Sequence, residues 1–148
     1  MIGRKTHKRA RRVAASPRSG QQTLREPERW HDRILQGLEF EAAEEVKARA
    51  SLTDPELAKL LGIGEATLRR ARASGGPLDA TTSDRLYRLS KIIAIAEETL
   101  ESADNAMSWL RRPQPALAGR VPLALLVTQA GADQVETLLR RIDYGVYT

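Results

Sequence analysis

Between Pro113 and Pro122 the chain reads Pro-Gln-Pro-Ala-Leu-Ala-Gly-Arg-Val-Pro, and this stretch limits the fold more than any other. Pro113 and Pro115 each lack an N–H and bias the preceding residue toward extended geometry, so no regular element passes through them. A helix therefore closes at Leu110, with Arg111 and Arg112 on its last turn, where the helix dipole favours cations. Gly119 permits a sharp bend. Pro122 suits the first turn of a new helix carrying Leu123, Leu125 and Leu126. A last helix places Val135, Leu138, Leu139 and Ile142 at i, i+3, i+4 and i+7, one apolar stripe. Residues Tyr144-Gly145-Val146-Tyr147-Thr148 then form a tail with two aromatics, a glycine and a terminal carboxylate, too short for a further element. The expected result is a string of short helices folded back on one another.

Composition points the same way. Hydrophobic residues make up 41% of the 148, but aromatics only 4%, so a core is built from Leu, Ile, Val and Ala, which suits helices. The length fits one compact domain or two small ones sharing a core. No convincing strand and no internal repeat appears, and the expected fold is all-α. Cysteine is absent, which excludes disulfides and thiolate metal sites. No run of about 18 apolar residues is present, and no apolar segment near the N-terminus resembles a signal peptide. Only His7 and His31 are histidines, and no Gly-x-Ser-x-Gly occurs. Glu97, Glu98, Asp133, Glu136 and Asp143 lie at helix-surface spacings rather than as a converging acid pair. The chain reads as a binding protein, not an enzyme, with no metal and no cofactor.

The net charge of +5 is unevenly spread. Residues 1–25 hold eight of the 24 basic residues and none of the 19 acidic ones, which leaves sixteen against nineteen, a net of −3, for residues 26–148. The first 25 residues lack apolar periodicity and contain Ser16, Pro17, Ser19 and Gly20, the pattern of a disordered basic arm. Such an arm adds salt-dependent attraction to phosphates or is a plain extension.

Helices begin at Pro27. Trp30, Ile34 and Leu38 recur every four residues, followed by Ala42, Ala43 and Val46, and Gly37 divides the run into helices near 27–36 and 39–50. Trp30 is expected as a core or interface anchor and His31 on a solvated face. Thr53 is a plausible N-cap, with Asp54 and Glu56 in the first turn. Asp-Pro-Glu-Leu-Ala-Lys-Leu-Leu-Gly-Ile-Gly-Glu-Ala-Thr-Leu-Arg-Arg-Ala-Arg-Ala, residues 54–73, then has helix-turn-helix spacing: Ala58, Gly four residues later, and an apolar residue six after that. The small residue lets two helices cross closely, and Gly62 takes the positive φ of the turn. Leu57, Ala58 and Leu61 face inward, Ile63 plugs the corner, and Leu68 and Ala71 pack from the second helix. That helix would present Glu65, Ala66, Thr67, Arg69 and Arg70 toward a major groove, with Arg72 near phosphates. Gly62-Ile63-Gly64 has no preceding strand and no third glycine, so it is not read as a phosphate loop.

After a loop at Ser74-Gly75-Gly76-Pro77, Thr81 or Thr82 caps a long helix reaching about Ser102. Leu86, Leu89, Ile93, Ala96 and Leu100 form its stripe, widened by Ile92 and Ile95. Tyr87 is expected at a core edge or interface. The width suggests burial on two sides, by the DNA-binding part and by the C-terminal part or a second protomer, and a homodimer is expected. The domain reading is a basic arm over 1–25, a helix-turn-helix region over 26–102 and a C-terminal domain over 103–148.

Trp-Leu-Arg-Arg-Pro-Gln-Pro-Ala-Leu-Ala-Gly-Arg-Val-Pro-Leu-Ala-Leu-Leu, followed by Gly-Ala-Asp-Gln-Val-Glu-Thr-Leu-Leu-Arg-Arg-Ile-Asp-Tyr-Gly-Val-Tyr, resembles the toxin-binding domain of Xre/MbcA/ParS-type antitoxins across residues 109–148. It departs from the family pattern at Gln114, usually Asn, at Ala118, usually Gly, and at Val121, usually Thr or similar. The resemblance implies a small bacterial, cytoplasmic helical protein encoded beside a RES-domain toxin that consumes NAD by hydrolysis or by transferring ADP-ribose. It implies a dimer that binds operator DNA, represses its own operon, and inserts its C-terminal end near the toxin's NAD pocket. Tyr144, Gly145, Val146, Tyr147 and Thr148 would form that insert, with Arg140 and Arg141 as its rim. The other reading is a stand-alone helix-turn-helix regulator whose C-terminal domain only dimerises.

Overall fold

The computed structural model describes residues 27–145. In chain order the helices are α1 (Pro27–Gln36), α2 (Phe40–Arg49), α3 (Asp54–Leu61), α4 (Glu65–Ser74), α5 (Ala80–Leu100) and α6 (Ala103–Leu110). A 3-10 turn (Pro115–Leu117), α7 (Pro122–Leu125) and α8 (Gln129–Asp143) complete them. The all-α expectation holds: among the described residues there is no strand, only the isolated bridges Glu39–Pro77 and Gln114–Arg120.

The other helices gather around α5. Helices α1, α3, α6 and α8 all pack against it. Leu86, Leu89, Ile92, Ile93 and Ala96 are each at most 1% exposed, so the wide stripe is covered by the chain itself. Its width therefore gives no reason to invoke a second protomer, and that ground for a homodimer falls. The start of α5 also differs from expectation. Asp79, not a threonine, is the N-cap, and its carboxylate accepts from the Thr82 N–H at 2.7 Å. An ionised acceptor makes the stronger cap, and this bond holds the Asp79 carboxyl below its ordinary range. Thr82 is buried one turn inside.

Trp30 is a core residue, its ring centroid 5.4 Å from that of half-buried Tyr87, while His31 is exposed. The corner after α1 is tied to the start of α5 and to the loop before it: the Leu38 N–H donates to Ser83 Oγ at 2.8 Å, and the Leu78 N–H donates to the Leu38 carbonyl at 2.8 Å.

At the other end the proline-rich stretch closes into a loop. The Gln114 N–H donates to the Arg120 carbonyl at 3.1 Å, and Ala118 and Gly119 both take left-handed φ, 59° and 78°. Thr128 caps α8, its Oγ1 accepting from the Gly131 N–H at 2.9 Å. Gly131 is buried where α7 meets α8, and a Cβ there would run into the Leu125 carbonyl. Val135 and Leu139 seal α8 to the core, while Leu138 and Ile142 are half-buried.

Candidate functional site

The first turn of α3 is held by a capping box. Thr53 Oγ1 accepts from the Glu56 N–H at 3.2 Å, and Glu56 Oε1 accepts from the Thr53 N–H at 2.9 Å. Gly62 ends α3 at φ +72°, and the Ile63 N–H returns to the Ala58 carbonyl at 3.0 Å, which sets α4 across α3. Leu57, Leu61 and Leu68 are fully buried and Ala58 is 2% exposed, with Ile63 and Ala71 packed at the edge. These are the inward positions expected of a helix-turn-helix. The outer face of α4 carries Glu65, Ala66, Thr67, Arg69 and Arg70, all exposed. Arg70 reaches Thr67 Oγ1 at 3.2 Å, a weak internal bond that leaves most of its donors outward. A guanidinium so placed can grip a guanine edge bidentately, and a threonine hydroxyl can bond either partner of a base pair.

Arg72 behaves differently from its neighbours. Expected near phosphates, it instead points back into the protein, half-buried between two carboxylates. It donates to Glu44 Oε2 at 2.8 Å and Oε1 at 3.1 Å, and to Asp54 Oδ1 at 2.9 Å and Oδ2 at 3.0 Å. Its guanidinium also lies 5.6 Å from the centre of the Phe40 ring. The hydrogen bond from Arg72 is the main reason the Asp54 carboxyl is held below its ordinary range; Lys47, 3.5 Å away, adds to it. The same carboxylates, Glu44 first, hold Arg72 firmly protonated.

Two further cations gain a setting that their sequence positions do not suggest. The sequence gives Arg111 no role beyond complementing the helix dipole, but it donates to Glu56 Oε2 at 2.9 Å and Oε1 at 3.1 Å, and to the Ser51 carbonyl at 3.0 Å. It joins the end of α6 to the capping box of α3, across 55 residues of chain. Arg85 lies against the Gly62 turn, 3.4 Å from the Leu61 carbonyl. Neither contact has a sequence signal, since the partners meet only after α5 brings the two halves together.

At the end of α8, Arg140 pairs with Glu136 one turn back, at 2.8 Å, and Arg141, Tyr144 and Gly145 are exposed. Tyr144 is 79% exposed. A shallow groove of about 320 Å³ lies between the 3-10 turn and α8, its lining including Leu117, Leu138, Asp133 and Arg141. Val146, Tyr147 and Thr148 lie outside the described residues, as does the basic arm over 1–25. Among the described residues no group of His, Cys, Asp or Glu is arranged to hold a metal, and no helix is long and apolar enough to cross a membrane.

A helix-turn-helix with an open outer face, joined through one long helix to a second small helical module, defines a two-part binding protein. Residues 29–91 match the antitoxin Xre-like helix-turn-helix domain, and residues 96–145 match the antitoxin Xre/MbcA/ParS C-terminal toxin-binding domain. The chain is similar to an antitoxin Xre of Pseudomonas putida, 33% identical over 115 residues, which is 78% of this chain and 71% of the relative. An antitoxin Xre of Yersinia enterocolitica is 27% identical over 79% of this chain and 80% of its own length. A Prs ADP-ribosylating antitoxin of a Sphingobium species is 31% identical over 59% of this chain and 60% of its own length. The chain belongs to the Xre/MbcA/ParS antitoxin family. As a member of that antitoxin family it is a binding protein rather than an enzyme, and the match to a toxin-binding domain takes the ground from the stand-alone regulator reading.

Proposed function

We propose that this antitoxin neutralises a cognate RES-domain toxin by seating its C-terminal tail in the toxin's NAD pocket, and that it represses its own operon through the face of α4. The observation that carries the first half is the end of α8. Tyr144 stands 79% exposed beside exposed Arg141, although tyrosine is a residue that proteins normally use for contact. An aromatic group entering an adenine- and phosphate-binding pocket excludes NAD sterically. The name of the Sphingobium relative couples an antitoxin with ADP-ribosylation, and ADP-ribosyl transfer draws its ADP-ribose from NAD. That supports an NAD-consuming partner for this chain.

The second half rests on Glu65, Thr67, Arg69 and Arg70, which share the open face of α4. Helix-turn-helix proteins read paired half-sites as dimers, so we take a homodimer in the bacterial cytoplasm as the DNA-binding form. Arg72 is left out of the contact surface because its donors are engaged. The test is to purify the RES-domain product of the neighbouring gene and follow NAD consumption. Equimolar antitoxin abolishes it on this reading; unchanged NAD consumption contradicts it.

A further inference from the structure

We propose that Arg72 is a positioning residue of the DNA-reading face: it fixes the angle and register of α4 and contacts no DNA. The inference rests on the DNA-binding reading of α4 and names the device that holds that helix in place. Three side chains from two helices converge on one guanidinium. Glu44 comes from α2, Asp54 from the first turn of α3, and Phe40 from the start of α2, while Arg72 itself sits in the last turn of α4. Four hydrogen bonds between 2.8 and 3.1 Å fill both edges of the guanidinium, two to each carboxylate. A planar group gripped on two edges fixes both position and rotation, which a single point charge cannot do.

Elsewhere α4 is lightly anchored. Leu68 is its only buried residue, with Ala71 half-buried beside it. The Gly62 turn, with the Ile63 N–H on the Ala58 carbonyl, fixes the N-terminal end of α4, and Leu68 sets its distance from the core; the clamp fixes the C-terminal end. Base-edge contacts tolerate little misplacement, whereas phosphate contacts on a flexible side chain tolerate more. Loss of the clamp therefore costs sequence discrimination and spares general DNA affinity.

A phosphate-contacting Arg72 and a positioning Arg72 predict different results. The probe is the duplex that the wild-type protein selects from a random-sequence library, compared with an unselected duplex of equal length. Binding is measured over a range of salt, at a temperature where circular dichroism shows every variant folded. With Arg72→Ala, positioning predicts that preference for the selected duplex falls roughly tenfold or more, the size of one good bidentate base contact. Affinity for the unselected duplex and its salt dependence stay as in wild type. A phosphate contact predicts instead equal loss on both duplexes and a salt slope lower by about 0.9.

The double variant Glu44→Gln with Asp54→Asn sharpens the comparison, because it leaves Arg72 in place but releases it. Positioning predicts the same loss of preference as Arg72→Ala, with no further loss when the three substitutions are combined. A phosphate contact predicts that the released arginine keeps or raises affinity. Preference that survives Arg72→Ala overturns this inference and leaves the DNA-binding reading standing. A library that enriches no sequence overturns both.

Discussion

Glu56 does two jobs that one substitution can separate. Its carboxylate closes the capping box on the Thr53 N–H at 2.9 Å, and it also receives Arg111 at 2.9 and 3.1 Å. Glutamine can serve the first role, since it occupies that position in capping boxes, but it has no charge for the second. Both partners of the ion pair are 36% exposed, so solvent screens it, and its bidentate geometry places it near ~1 kcal/mol. The cap contributes about 1 kcal/mol more. Glu56→Gln is expected to cost ~0.5–1 kcal/mol, and Glu56→Ala about 2 kcal/mol. Urea unfolding near neutral pH measures both.

The pH dependence supplies a second check. The Arg111 hydrogen bond, then that of the Thr53 backbone, lowers the Glu56 pKa from 4.5 to about 2. A depressed carboxyl stabilises the fold at pH above its unfolded value and loses that contribution as pH falls through the folded one. The gap between wild type and Glu56→Gln is therefore full near neutrality, begins to close around pH 4.5, and is lost only as pH falls below about 2. Equal destabilisation by glutamine and alanine, or a gap that does not change with pH, would refute this division of labour and the joint between α6 and α3 with it.

Ala118→Gly is expected to raise stability by about 1 kcal/mol, read as a higher melting temperature, because Ala118 is exposed and holds φ 59° with a Cβ that favours the opposite sign. Gly131→Ala is expected to cost at least about 2 kcal/mol in urea unfolding, since its Cβ has nowhere to go but the Leu125 carbonyl. Arg69→Ala with Arg70→Ala is expected to abolish the mobility shift of the selected duplex while leaving toxin binding intact, because both side chains are exposed on α4 and outside the matched toxin-binding domain over residues 96–145.

The parts of the fold legible from sequence are those fixed by near neighbours. The prolines at 113, 115 and 122 mark where helices stop and start, and Thr53 with Glu56 marks the start of α3. The spacing of Ala58, Gly62 and Leu68 marks the helix-turn-helix, whose exposed residues follow from the helical period alone. What sequence reasoning misses depends on distant partners. Arg72 carries the same charge as Arg69 and Arg70, and only the approach of Glu44, 28 residues away, turns it inward. Arg111 looks like a dipole-complementing cation until α3 is brought beside α6. Asp79, Thr81 and Thr82 can all cap, and the choice among them depends on where α5 begins to pack. The wide stripe of α5 leaves open, in sequence, whether it is covered by the chain itself or in part by a copy; α1, α3, α6 and α8 all pack on α5, and the stripe is buried within the chain.

The most direct test of the central claim is NAD consumption by the purified RES-domain partner, in the presence of full-length antitoxin and of a variant lacking Tyr144 to Thr148. A pull-down and a melting curve of the truncated protein accompany it. Among the described residues, the final buried positions of α8 are Val135 and Leu139, and Tyr144 and Gly145 are exposed. With the tail as the inhibitor, the truncated protein melts within a few degrees of the full chain and still binds the toxin through α8 and the groove beside it, yet no longer stops NAD loss. If the truncated protein binds and still protects NAD, the tail is not the inhibitor.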